Sequence, residues 1–237
     1  MSNQKFNFFG SQKVISQNSG LREYMLGVYN YMTLALAISG VVAFFSAYSG
    51  LAYMMFSSPV GSIIAFAPLI MVFYLGFKFH SMSSDAVRSF LLIYSVLMGL
   101  SLSSIFLVYS SVSIAKAFFI TAGMFGSMSI YGYSTKKDLT GMGSFLFMGV
   151  IGLLLASLVN IFTKSEGMSV LISILSVIIF TGLTAYDTQK IKHMYYMLGA
   201  NNNSEAAKKF AVFGAFQLYI DFIAIFSHLL HLLNERR

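Results

Sequence analysis

Five long stretches of this chain carry no formal charge: residues 24–77, 89–115, 117–135, 139–163 and 167–186. A sixth, Phe210 to Asn234, carries only Asp221. A helix needs roughly 20 apolar residues to cross a ~30 Å hydrocarbon core. On that measure the pattern predicts seven spanning helices, at 28–50, 60–79, 89–109, 113–133, 142–163, 168–187 and 210–233. A closed barrel would instead require ~10-residue segments that alternate apolar and polar positions. "VIGLLLASLV" and "VLISILSVIIF" do not alternate. The expected fold class is therefore all-α: a polytopic membrane protein built as a seven-transmembrane-helix bundle.

Composition agrees. The chain is 57% hydrophobic and 10% charged, against about 25% charged in an average soluble domain. Too few charges remain to coat a water-facing surface, so the lipid bilayer is the first implied partner. Residues 1–27 are polar and read as a cytoplasmic N-terminal arm, with 28–237 as one transmembrane domain. The first apolar run is too long for a signal-peptide core, so it reads as a retained span. "SSPVG" and "SSVS" are tight turns, "STKKDLTGMG" and "TKSEGM" longer polar ones, and 188–209 the longest connection. Pro59 sits at a normal helix start; Pro68, inside the second span, removes a backbone bond and predicts a kink. Gly149, Gly152 and Ala156 in the fifth span, and Gly123 with Gly126 in the fourth, read as small residues at helix contacts.

The net charge of +7 sorts by side of the membrane. With the N-terminus inside, eleven basic residues fall inside: Lys5, Lys13, Arg22, Lys78, Arg88, Lys136, Lys137, Lys190, Lys192, Lys208 and Lys209. Four fall outside: Lys116, Lys164, Arg236 and Arg237. That is the positive-inside pattern, and it predicts a cytoplasmic N-terminus. No basic, aromatic-interleaved patch is left for nucleic acid. The chain has no cysteine, which excludes disulfides and thiolate metal sites.

Within this apolar frame, Asp221 stands out. A carboxylate at a helix centre costs roughly 2.5–3.5 kcal/mol on insertion scales, so it should face protein or water. Gln217 and His228 lie within about 40° of it around the helix, with Gly214 on the same stripe. Thr181, Thr184, Asp187 and Thr188 form a second polar stripe at the end of the sixth span. Asp187 counts out near the membrane boundary, where it reads equally as a loop-edge acid beside Lys190 or as a partner for Asp221. Two carboxylates within ~4–6 Å in a low-dielectric site cannot both ionise cheaply. Sharing a proton would hold two helices together; losing it would drive them apart or attract a cation. Oxygen ligands suit calcium, which prefers six to eight of them, so a pair alone would hold the ion weakly, as conduction requires. His228 and His231 read as interior hydrogen-bonding groups, and Asn30 and Asn160 as residues bonding across helices. No nucleophile–base–orienter set, phosphate loop or HExxH motif is present, so no enzyme and no resident cofactor are expected.

"LREYMLGVYNYMTLALAISG", "YGYSTKKDLTGMGSFLFMG", "FTGLTAYDTQKIK" and "FQLYIDFIAIF" together resemble the bacterial branch of the Bax-inhibitor (TMBIM) family of transmembrane proteins, over 21–234. The resemblance implies a bundle whose last helix is central, surrounded by the other six. It also implies a pH-dependent calcium leak gated by an aspartate dyad, whose positions fall on Asp187 and Asp221. These two would be the pore and pH-sensing pair and the transient calcium ligands, with Thr184, Gln217 and His228 as supporting polar groups. Relatives carry a basic latch residue in the second helix; here the only basic residue of that span is Lys78, the candidate latch. A bacterial inner membrane is the implied location. Two other readings stay open: a regulator that binds a membrane protease or cell-death partner, and a proton-coupled transporter.

Overall fold

The computed structural model describes the backbone of residues 3–202 and 204–233 and the side chains from Ser19 onward. Arg236 and Arg237, counted above on the outer side, lie outside the described residues, as do the side chains of Lys5 and Lys13. Among the described residues seven helices are long and apolar enough to cross a membrane. They are α1 (Asn3–Tyr48), α3 (Val60–Lys78), α4 (Ser84–Leu102), α6 (Ser111–Ser134), α7 (Thr140–Thr163), α8 (Glu166–Met197) and α9 (Glu205–Leu233). Two short helices, α2 (Leu51–Phe56) and α5 (Ile105–Val108), sit in the connections.

Local chemistry sets the helix starts. Ser83, Ser110 and Ser165 each accept a hydrogen bond from the amide three residues on, capping α4, α6 and α8, which satisfies one otherwise orphaned donor per helix. α3 runs unbroken through Pro68.

α9 is the most buried of the seven: two-thirds of its apolar window is inside the protein (67%), against 11–39% for the others. It packs on α8, α1, α4 and α6, while α3 lies mainly against α4 and α7 against α8. Aromatic rings fill the seams. Phe216 and Tyr219 of α9 meet Tyr94 of α4 at 4.8 and 5.8 Å, and Phe213 meets Phe79 at 4.3 Å. A buried polar knot ties three helices: Ser39 Oγ of α1 lies 2.7 Å from both the Tyr219 hydroxyl and the Ser95 carbonyl.

Two expectations are corrected. The helix of the sixth span does not stop at Asp187: α8 continues to Met197, so the connection expected over 188–209 shrinks to residues 198–204. Ile191 and Tyr195 explain this, since both are buried and continue the inward face of the helix past the charged lysines. Gly199, at φ 78°, then ends it, its amide bonding back to the Tyr196 carbonyl at 3.1 Å, the left-handed stop that glycine adopts without steric cost. The second correction concerns small residues. A Cβ on Gly123, Gly126 or Gly152 would meet nothing within 4 Å, whereas on Gly132 it would strike the Ala185 backbone and on Gly143 the Tyr186 ring. Gly149 does sit at a contact, 2.8 Å from Ile179 by the same measure. Spacing alone does not say which face of a helix meets a neighbour.

Candidate functional site

α8 and α9 form the most extensive helix pair, and each supplies one acid to it. Asp187 is 7% exposed and Asp221 3%. Both line one cavity of about 630 Å³, walled by α3, α7, α8 and α9. Lys190, one turn beyond Asp187, stands at the same cavity wall. Asp221 Oδ2 is buried without a hydrogen-bond partner. An unpartnered buried acceptor of this kind is rare and costs about 1–3 kcal/mol.

The close approach of α6 and α7 to α8 holds the first acid in place. Gly132 lets α6 touch the backbone at Ala185, and Gly143 lets α7 lie on Tyr186. Beside Asp187, Thr188 shares a 3.0 Å hydrogen bond with Ser129 of α6, which in turn bonds the Tyr29 hydroxyl of α1. Gln189, also buried, grips the loop between α6 and α7: its Oε1 accepts from Leu139 N–H at 2.9 Å and its Nε2 donates to the Lys137 carbonyl at 2.7 Å. In the same loop the side chain and backbone of Thr140 both donate to Asp138 Oδ1, at 2.6 and 2.9 Å. They hold this exposed carboxyl below its ordinary range.

The remaining candidates separate. Gln217, one turn before Asp221, lines the same cavity. Thr184, one turn before Asp187, is buried and donates to its own helix, at the Phe180 carbonyl, 2.9 Å away. His228 lies two turns beyond Asp221 and pairs with Ser173 of α8 at 3.2 Å, apart from the cavity. Lys78 is exposed at the end of α3 and lines no part of the site. The cation there is Lys190, which also lies 5.8 Å above the Tyr186 ring. In the sequence Lys190 stands out only as the neighbour of Asp187, which reads equally as a loop-edge acid or as a partner for Asp221, because the helix is expected to end at 187. Gln189 and Ser129 were missed altogether; their signal is only that each is a polar residue at helical spacing inside an apolar face. Asn160 bonds Ser169 across the α7–α8 turn at 2.7 Å, while Asn30 is exposed.

Among the described residues no three His, Cys, Asp or Glu side chains gather to hold a metal. The cavity brings together two carboxyl side chains and the Gln217 amide.

The family described as "Inhibitor of apoptosis-promoting Bax1" matches residues 21–237. The chain is 47% identical over 221 residues to an uncharacterized protein of Rickettsia prowazekii, covering 93% of this chain and 92% of that one. It is 42% identical over 229 residues to the Escherichia coli K12 inner membrane protein YbhL, covering 96% and 97%. An uncharacterized protein of Caulobacter vibrioides is also 42% identical, over 233 residues, covering 94% and 92%.

Proposed function

The chain belongs to the family of inhibitors of apoptosis-promoting Bax1, and from that premise we propose that it is a pH-dependent calcium leak channel whose conduction is set by Asp187 and Asp221. The observation that carries the reading is the pair of buried acids on adjacent helices opening onto one cavity, with Asp221 Oδ2 left unpartnered. A proton shared by the two carboxylates ties α8 to α9. Its loss leaves like charges that separate the helices or draw in a cation, because two close carboxylates in a dry site repel strongly. Calcium is the cargo, held for a moment by the two carboxylates and Gln217 with water completing its shell. In this reading the protein is a conduit and not an enzyme, and it needs no cofactor. It sits in an inner membrane, as the name of its relative YbhL says of that protein, with the basic loops and the N-terminus cytoplasmic.

Purified full-length protein in liposomes loaded with a calcium dye tests this. The expected result is calcium entry that falls on acidification, and an Asp221→Asn variant whose flux no longer follows pH. Flux driven only by an imposed proton gradient would point to a coupled transporter. No flux at any pH, with a membrane protease co-purifying, would point to a regulator.

A further inference from the structure

A second cavity shares no residue with the first. It is a lateral groove of about 540 Å³ between α1 and α6. Its walls include Met25, Leu26, Phe125 and Ile130, and Leu26 and Ile130 are exposed, so the groove opens sideways to where acyl chains lie. Gly126 forms the gap, since a side chain there would meet nothing within 4 Å. At the end of the groove nearest the membrane boundary stands Arg22, exposed and the only charged side chain lining it among the described residues. The neighbouring acid, Glu23, points elsewhere and accepts a hydrogen bond from Asn202 at 3.0 Å. A second cation reaches the same rim from α8. Lys192 Nζ donates to the Tyr133 carbonyl at 2.7 Å and lies 5.1 Å from the Tyr133 ring centre, and Tyr133 lines the groove with Arg22. The hydroxyls on the groove floor, Tyr29 and Ser129, are bonded to each other and onward to Thr188, so Arg22 is left to meet a ligand.

We infer that this groove binds an anionic phospholipid, its acyl chain between α1 and α6 and its phosphate on the Arg22 guanidinium. The guanidinium fork matches a phosphate in two-point fashion, and basic pockets between spanning helices recognise acidic head groups through such contacts. A zwitterionic lipid would bring its own cation toward Arg22 and Lys192, which disfavours it. The inference concerns binding alone and stands whether or not the protein conducts calcium.

Native mass spectrometry of the detergent-purified chain, offered equal amounts of phosphatidylglycerol and phosphatidylcholine, tests it. The expected result is retention of phosphatidylglycerol over phosphatidylcholine by at least about fivefold, the effect of one basic residue at a membrane surface. Arg22→Gln should abolish that preference. Gly126→Leu fills the groove without touching a charge and should also lose the bound phosphatidylglycerol. Leu26→Trp, on the lipid-facing wall, makes the same test should Gly126→Leu not fold. Equal retention of the two lipids by the parent chain would overturn the inference. So would groove-filling variants that keep phosphatidylglycerol as the parent does, or a lipid-free mass of two chains, which would place a second copy in the groove.

Discussion

Replacing Asp221 with leucine separates a carboxylate kept for conduction from one that holds the fold. Asp221 is 3% exposed and its Oδ2 has no partner. Leaving a buried acceptor unsatisfied costs about 1–3 kcal/mol, and exchanging it for an apolar group of similar shape recovers that cost. In leucine two methyl groups replace the two carboxylate oxygens on the same branched frame, and the cavity beside Asp221, about 630 Å³, takes up their slightly larger size, so little is lost to overpacking. Asp221→Leu should therefore raise the free energy of unfolding by about 1–3 kcal/mol at a pH where the two acids share no proton. At roughly 2–4 °C per kcal/mol for a chain of this length, the expected rise in Tm is about 2–12 °C. The chain has no tryptophan, so unfolding is best followed by far-ultraviolet circular dichroism in detergent micelles. A Tm lowered by several degrees at that pH would refute the reasoning, because it would mean that Asp221 makes a stabilising bond even without the shared proton and is retained for structure.

Other perturbations probe the scaffold around the site. Gly132→Val would drive a side chain into the Ala185 backbone and should cost at least about 1–3 kcal/mol. Gly123→Ala, facing open space inside α6, should leave stability unchanged or raise it by up to about 1 kcal/mol, and thermal unfolding compares the two. Gln189→Ala leaves the Leu139 amide and the Lys137 carbonyl without their partner, and faster hydrogen exchange over residues 137–140 should report it. Thr140→Val removes the hydroxyl donor that, ahead of the Thr140 amide, holds the Asp138 carboxyl low. Its midpoint, followed by nuclear magnetic resonance, should move up toward the ordinary carboxylate value. The sign is set by the depressed value: the interaction stabilises the folded chain above the unfolded midpoint and is lost as pH falls through the lower, folded one.

Charge spacing revealed the seven spans because lipid tolerates few charges, with the gap 24–77 long enough for two crossings. The same logic misplaced the end of α8. Lys190 and Lys192 are charged, yet the helix beneath them continues out of the apolar layer on the strength of Ile191 and Tyr195. Asp187 thus lies well inside a helix rather than at its edge. Asp221 was legible as a lone carboxylate amid apolar residues. Its relation to Asp187 was not, since spacing along one helix carries no information about the rotation of its neighbour. That rotation is set by contacts such as Gly132 on Ala185 and Gly143 on Tyr186. For the same reason His228 shares an angular stripe with Asp221 but not its cavity, and Lys190 stands at the site where Lys78 was expected.

A cycle of Asp187→Asn, Asp221→Asn and the double variant, with calcium flux into liposomes measured across pH, tests the pairing itself. If one proton held between the two acids governs conduction, each single change removes the pH response and the double change adds nothing further, the non-additivity of groups that act as a unit. Two independent, additive shifts in the pH profile would contradict it.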